Sequence, residues 1–334
     1  MVKAIALLSG GLDSILATRL ILNQGIEVEA VNFLTVFCNC TARGKTCLAS
    51  KSAATALGIN LKVFEVTGDY LEIVKAPKHG YGRNLNPCLD CRIFMFKKAG
   101  EYMKKTNASF IVTGEVLGER PMSQRKDAMR IIENESGLKG FIVRPLCAKL
   151  MEPTIPEKEG IVDRERFLSI EGRSRKPQIQ LARDLGINDY PCPAGGCLLT
   201  DEGFANRMRD LMKHKPNLTL NDIKLLKAGR HFRFDSGTKF IVGRNEAENA
   251  ALLTLAKADD MRFQAVSVPG PIGIGRGNFT GDHISLAARI LARYSDVASG
   301  RHLEIVYRKI GEEKDCRIII EAVKNEEFAA HRIL

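Results

Sequence analysis

No stretch of the 334-residue sequence approaches the ~18 consecutive apolar residues that a membrane-spanning helix needs. The apolar run at its start, Ala4–Leu8, is too short for a signal peptide, and no small-residue cleavage site follows it. With 45% apolar and 27% charged residues, the composition is that of an ordinary globular protein, and a cytoplasmic location with no membrane partner is expected. Internal repeats, low-complexity tracts and a basic tail are also absent. The net charge of +11 is spread along the chain, which permits an anionic partner without naming one. A merely solubilising surface is the plain alternative. His214, His231 and His302 show no metal-ligand spacing, and His79 lies in a basic loop, Pro77–Arg83, where contact with substrate phosphate competes with simple exposure.

Nine cysteines are present, and in a reducing cytoplasm they are not expected to form disulfides. Their spacing carries more information. Cys38, Cys40 and Cys47 form one group; Cys88 and Cys91 form a C-x-x-C; Cys192 and Cys197 flank a Pro/Gly turn. Cys147 and Cys316 stand alone and read as small apolar residues. Clustering of the other seven points to metal binding or sulfur chemistry.

Apolar runs at Ala4–Leu8, Val28–Phe33, Leu61–Val66 and Ser109–Thr113 read as buried strands. They alternate with helical patterns at Leu12–Leu22, Cys47–Leu57 and Cys91–Lys105, which predicts an α/β fold with a parallel sheet. After about residue 145 the pattern changes; prolines and the run Gly172–Pro177 look like an extended connection. Beyond 215, His231–Phe234 and Lys239–Val242 bracket Asp235-Ser236-Gly237-Thr238, a hairpin with a glycine turn. Helical patterns at Glu246–Lys257 and His283–Tyr294 and strands at His302–Arg308 and Cys316–Ala322 complete a smaller α+β domain. The expected divisions are 1–175, a connecting segment 176–214 carrying the last cysteine pair, and 215–334.

Between the first strand and first helix lies Ser9-Gly10-Gly11-Leu12-Asp13-Ser14. Two glycines let backbone approach an anion closely, and a helix N-terminus presents free N–H groups to phosphate oxygens. Ser9 and Ser14 add hydroxyl donors. Asp13 is compatible with phosphate when Mg²⁺ lies between them.

This S-G-G-x-D-S segment resembles the PP-loop of the ATP pyrophosphatases; the G-x-x-x-x-G-K-[ST] pattern is absent. The resemblance implies a Rossmann-like sheet with ATP across its strand ends. Asn32 and Phe33 would then lie by the adenine, and Thr113, Gly114 and Glu115 near the nucleotide. Asn86-Pro87-Cys88-Leu89-Asp90-Cys91 resembles the N-P-C-x-x-C segment of tRNA 2-thiouridylases, and Gly196-Cys197 their second, glycine-preceded cysteine. Thr113–Gly118 with Ser123-Gln124 resembles a stretch of 4-thiouridine synthetase, with Glu119 standing where that family has Gln. Residues 229–249, from Gly229-Arg230-His231 to Glu248-Asn249, resemble an NFACT-R type RNA-binding domain.

The resemblance implies an ATP-dependent tRNA sulfurtransferase, with tRNA and a sulfide or persulfide donor as partners and a homodimer as an allowed assembly. The expected cofactors are ATP, Mg²⁺ and a [4Fe–4S] cluster. Cys88, Cys91 and Cys197 would hold three of its irons, with Cys192 as a substitute for the third ligand. Two further readings of the thiols stay open: Cys88 and Cys197 as persulfide carrier and disulfide partner, or a zinc site that braces the fold. Cys38, Cys40 and Cys47 form a candidate second metal site. Arg120, Arg125 and Lys126 are candidates to stabilise phosphate charge, and Asp90 is either a proton donor or a solvated loop residue. Two other functions are consistent with the loop: an amide- or nitrogen-transferring ligase of small-molecule metabolism, or a non-catalytic Fe–S or zinc RNA-binding protein.

Overall fold

The computed structural model describes residues 2–38, 47–190, 197–298, 300–321 and 326–334, the side chains of 47, 48, 326 and 327 excepted. The chain divides into two units, Met1–Thr200 and Asp201–Leu334.

Five strands build the first unit: β1 (Lys3–Leu7), β2 (Glu27–Leu34), β3 (Leu61–Glu65), β4 (Phe110–Val112) and β5 (Ile142–Val143). Their order is β3-β2-β1-β4-β5, and every neighbouring pair is parallel. Side chains alternate between the two faces, as strand geometry requires. Ala4, Ala6, Phe110 and Val112 face α1 (Leu12–Leu22), while Ile5, Ile111 and Phe33 join a second core with Ile93 and Phe96. Covering both faces is what makes these strands read as continuous apolar runs. The helices α2 (Cys47–Leu57), α3 (Thr67–Lys75), α4 (Cys88–Lys105) and α5 (Lys126–Ser136) follow in chain order. Strand order reverses between β1 and β4, and in open sheets ligands bind at such a switch point.

The run Gly172–Pro177 does not continue as an extended connection. A helix, α6 (Lys176–Asp184), begins there with Pro177 in its first turn, where a missing N–H is tolerated. Ala182 is fully buried in the same core as Leu12 and Leu16, so α6 is an integral part of the first unit.

The second unit holds seven antiparallel strands: β6 (Arg230–Arg233), β7 (Lys239–Val242), β8 (Met261–Ala265), β9 (Gly273–Arg276), β10 (His302–Lys309), β11 (Cys316–Glu321) and β12 (Arg332–Ile333). They run in the order β11-β10-β8-β9-β7-β6-β12. The helices are α7 (Glu202–His214), α8 (Leu220–Leu225), α9 (Glu246–Leu255) and α10 (Gly281–Arg293). One sheet face packs Phe232, Phe240, Phe263 and Ile305 under the Ala287, Ala288 and Leu291 side of α10. The other packs Ile241 and Ile274 against Leu225 and Leu252. The expected hairpin joins β6 to β7, with Asp235 Oδ1 accepting from the N–H groups of Gly237 (2.7 Å) and Thr238 (2.6 Å). Cys316, read as a small apolar residue, is exposed on the edge strand β11. The fold is therefore α/β with a Rossmann-like parallel sheet, followed by a smaller α+β domain. Among the described residues no helix is long and apolar enough to cross a membrane.

A polar core stabilises the second unit. Arg276 on β9 donates to Asp260 (Nη2–Oδ2 2.7 Å), Asp222 (Nη1–Oδ1 3.1 Å) and Asn221 (2.9 Å), with both aspartates almost fully buried. Replacing Arg276 with Met takes the cation from the buried Asp260 and leaves the buried Asp222 with Lys215 (2.7 Å), at a cost of about 3–5 kcal/mol. A urea titration followed by circular dichroism should show the loss, and an unchanged unfolding midpoint would refute this account of the core.

Candidate functional site

The loop that leaves β1 is shaped by sterics before any ligand is considered. Gly10 has φ +81°, and a Cβ there would lie 2.5 Å from the Ala49 carbonyl carbon and 2.7 Å from the Ser50 nitrogen. Gly114, just beyond β4, is tighter still: its Cβ would lie 2.4 Å from the carbonyl atoms of Asp13 and 2.5 Å from the nitrogen of Ser14. Only glycine at 114 lets the end of β4 abut the loop. Within it, Ser14 Oγ donates to Gly11 O (2.8 Å), Ser9 Oγ accepts from Gly11 N (3.3 Å), and the two hydroxyls lie 3.3 Å apart. Asn32 Nδ2 donates to Leu8 O (2.8 Å), bracing β2 against the end of β1, and the buried Phe33 stacks on Phe64 at 5.5 Å.

Asp13 is the polar centre of the loop. Its Oδ1 is buried and has no hydrogen-bond partner. Burial pushes its carboxyl above the usual range, against the pull of Arg175 and Arg120. Glu119 is raised as well, by burial first and by Asp13 second. Arg120, singled out in the sequence, therefore stands at the loop, whereas Arg125 pairs with Asp127 on the surface (2.7 Å). Arg175 and Gln178, which act on Asp13 from the start of α6, belong to no sequence motif.

Glu115 follows Gly114 and is fully buried. Its Oε1 accepts from Arg92 Nε (3.0 Å) and Nη2 (2.7 Å), and its Oε2 from Arg144 Nε (3.0 Å). Arg144 also pairs with Glu133 on α5. Burial alone would raise the Glu115 carboxyl, but Arg92 and Arg144 outweigh it and hold it below the ordinary value. Its two oxygens are thus engaged by arginines that belong to the protein.

Cys88 and Cys91 sit in the first turn of α4, with Asn86 Nδ2 donating to Cys88 Sγ (3.1 Å). Asp90 between them accepts the backbone N–H groups of Lys78 (3.2 Å) and His79 (3.0 Å), so it fastens the basic loop to α4. His79 in turn meets Glu135 at 3.0 Å. Cys197 Sγ points at Phe37 O (3.7 Å), which also accepts from Leu198 N (3.0 Å). The same turn is held to the approach of α4 by Leu85 N to Leu199 O (3.1 Å) and Asn84 Nδ2 to Thr200 O (2.9 Å). Cys38, next to Phe37, has its Sγ 3.3 Å from Thr35 N.

These contacts bring Cys38 to the group formed by Cys88, Cys91 and Cys197. Burial raises Cys91 to about 11 and Cys197 to about 12, and the charge of each nearby thiol, Cys38 included, adds to the shift. Cys88 is also raised by burial, tempered by Asn86, Arg92 and Arg120. The buried Tyr70 is shifted strongly upward by burial, then by Cys91, Cys197 and Cys88. Cys40, Cys192 and the side chain of Cys47 lie outside the described residues. Among the described residues no three His, Cys, Asp or Glu side chains are arranged to hold a metal ion; the chemistry of the donor set, soft thiols, is nonetheless that of an iron–sulfur or zinc ligand set. Gly114 touches the loop at Asp13 and Ser14, and Glu115 beside it holds Arg92, which follows Cys91, so the loop and the C-x-x-C turn are joined through the end of β4. Cys147 is buried apart from them, its Sγ 3.3 Å from Glu115 O.

Breaking the Glu115 hub leaves the buried Arg144 with Glu133 alone and takes the carboxylate from the half-buried Arg92. Glu115→Gln should cost about 3–5 kcal/mol at neutral pH. Because the folded-state pKa is depressed, this stabilisation is complete above the unfolded value near 4.5 and is lost as pH falls through the lower folded one. Thermal melts from pH 7 down to 3 should therefore converge for wild type and variant, and parallel curves would rule the hub out as the source.

Two family models match the chain: residues 1–162 match the thiamine biosynthesis protein (ThiI) family, and residues 229–332 the NFACT protein RNA binding domain. A "Probable tRNA sulfurtransferase" of Anoxybacillus flavithermus is 29% identical over 199 residues, 51% of this chain and 49% of that protein. Another, of Ureaplasma parvum, is 34% identical over 151 residues, 44% of this chain and 37% of that protein. The chain thus spans half or less of the length of these relatives. Among solved structures, a 4-thiouridine synthetase–RNA complex with bound ATP is 21% identical, covering 55% of this chain and 51% of that one, with a TM-score of 0.32. The U34-tRNA thiolase NcsA from Methanococcus maripaludis with its [4Fe-4S] cluster is 16% identical, covering 68% and 69%, also with a TM-score of 0.32. By these two matches, the first unit is similar to the ThiI family over residues 1–162, and the second to the NFACT protein RNA binding domain over residues 229–332.

Proposed function

We propose that the chain is an ATP-dependent tRNA sulfurtransferase that adenylates a uridine carbonyl oxygen and replaces it with sulfur. The observation that carries this reading is that Gly114 abuts the backbone of Asp13 and Ser14 while its neighbour Glu115 accepts from Arg92, the residue after Cys91, at 2.7 Å. Two consecutive residues then tie the S-G-G-x-D-S loop to the C-x-x-C turn. Ser9–Ser14 would cradle ATP, and Asp13 would hold its Mg²⁺, which when bound would neutralise phosphate charge. The uridine oxygen attacks the α-phosphorus, the bond to the bridging oxygen of the β-phosphate breaks, and pyrophosphate leaves. A sulfur nucleophile then adds at the activated carbon, and AMP departs with the former carbonyl oxygen.

Cys88, Cys91 and Cys197, with Cys38 beside them, are the residues that would hold an iron–sulfur cluster, which when bound would supply the site for the sulfur atom. Arg120 stabilises charge that develops on the phosphate during adenylation. The base must leave its stack to reach this pocket, which requires an RNA held by other contacts, and the RNA-binding domain of the second unit suits that task. The ThiI match over 1–162 and the sulfurtransferase relatives support the reaction class.

Asp13→Asn tests the first half of the reaction. Pyrophosphate release in the presence of tRNA should vanish, while stability at neutral pH stays level or rises, because the raised pKa marks an ionised carboxylate that the fold does not favour. Cys88→Ser, Cys91→Ser or Cys197→Ser should abolish thiolation and leave ATP binding intact. Pyrophosphate release stimulated by a small acid and indifferent to tRNA would replace this reading with a ligase. Absence of release with every RNA tried would leave a non-catalytic binding protein.

A further inference from the structure

The two edges of the second unit's sheet are finished differently. One edge is β12, a strand of only two residues, Arg332 and Ile333, and a short edge strand discourages pairing. The other is β11, six residues long, Cys316-Arg317-Ile318-Ile319-Ile320-Glu321. β11 pairs with β10, and among the described residues no strand lies on its other side. It contains no proline or lysine, and its register with β10 is unbroken by a bulge, so the usual devices that blunt an edge are missing. Its three consecutive isoleucines favour extended pairing. Such an edge offers a row of unpaired N–H and C=O groups to another strand.

The side chains of β11 select the strand that fits. Ile320 is buried and Ile318 half-buried in the core under α10, so Arg317, Ile319 and Glu321 line the opposite face. Ile319 is 66% exposed there. In the same row across the sheet lie Glu304 on β10 and then Val266, 50% exposed, just past β8. Arg317 donates to Glu304 (2.9 Å) and stays largely exposed, while Glu321 pairs with no cation among the described residues. An antiparallel pair of identical strands has a two-fold axis, so its interface must be its own complement. An axis at Ile319 sets Ile319 against its own copy, Ile318 against Ile320, and Arg317 against Glu321. Apolar side chains then meet apolar ones and each charge meets its opposite, the cross-strand pairs that stabilise a sheet. Moving the axis one residue either way sets Arg317 or Glu321 against Ile319 instead.

We propose that the chain self-associates through β11, which pairs antiparallel with β11 of a second copy about a two-fold axis at Ile319 and joins two seven-stranded sheets into one. The occupant of the edge is a second copy because the strand is complementary in charge to itself. The contact is small. Six residues a side bury less than the ~1,200 Å² of a standard interface, so a reversible dimer in the micromolar range is expected. This inference does not depend on the reaction proposed for the first unit, and it gives the homodimer allowed by the sequence a specific face.

The test is sedimentation equilibrium of the full 36.9 kDa chain, under reducing conditions so that the exposed Cys316 forms no bridge. Wild type should pass from monomer to dimer between about 1 and 200 µM. Arg317→Glu and Glu321→Arg each set two like-charge pairs across the axis, and each should weaken association about tenfold. The double variant Arg317→Glu/Glu321→Arg restores both pairs with their signs reversed and should recover wild-type association to within about threefold. That recovery separates an interface from a folding defect, because Arg317→Glu also places a carboxylate beside Glu304, which the change at Glu321 would not repair. Ile319→Lys puts two ammonium groups on the axis and should leave a monomer at every concentration, with an unchanged far-ultraviolet circular dichroism spectrum. Wild type monomeric throughout would overturn the proposal. So would a dimer that all four variants leave unaltered, which would put the contact on another face.

Discussion

The carboxylate of Glu115, buried between Arg92 and Arg144, is the interaction on which the rest of the first unit's site depends. It joins three pieces of chain that have no covalent reason to stay together. Glu115 continues β4, Arg144 follows β5, and Arg92 adjoins Cys91 in the first turn of α4. Glu133 carries the network on to α5 through Arg144. A buried ion pair adds little net stability over an apolar replacement, but one left half-broken is costly. Its value lies in fixing geometry: the C-x-x-C turn is held at a set place relative to the end of the central strands.

Sterics complete what that charge network begins. Gly114 allows the end of β4 to touch the backbone of Asp13 and Ser14, and Gly10 allows α2 to close against the loop from the other side. The loop is thus gripped by two neighbours through main-chain contact, and its hydroxyls are engaged with one another and with its own backbone. Polar capacity that remains unassigned is concentrated on Asp13 and the residues facing it from α6. A rigid backbone with unsatisfied side chains at one point is the arrangement expected where a charged ligand supplies the missing partners.

Legibility in the sequence followed the range of the interactions. The strands of the parallel sheet were readable because both of their faces are buried, which leaves long apolar runs such as Ala4–Leu8. The β6–β7 hairpin was readable from its Asp-Ser-Gly-Thr turn, whose hydrogen bonds are local. β8 and β9 leave little trace in the sequence, since Gly273 and Gly275 give β9 little strand character and β8 is only five residues long. The S-G-G-x-D-S loop and the C-x-x-C are visible as contiguous motifs. What could not be seen was which distant segments meet them. Cys38 groups in sequence with Cys40 and Cys47, but Phe37 O and the 197–200 turn bring it to Cys88, Cys91 and Cys197. Glu115 reads as a motif residue near a nucleotide, and only the fold reveals the two arginines that claim its oxygens. Arg175 and Gln178 carry no local signal, because their meaning comes from a helix docking across the sheet.

The cysteine segments are fastened mainly by main-chain groups: Phe37 O to Leu198 N, Leu85 N to Leu199 O, and Lys78 and His79 N–H to the side chain of Asp90. The thiols add sulfur contacts to this main-chain frame: Cys38 Sγ with Thr35, Cys88 Sγ with Asn86 and Cys197 Sγ with Phe37 O. A substitution at any of these points would leave the main-chain fastenings in place, so the frame is a mount that carries the thiols rather than one the thiols hold together.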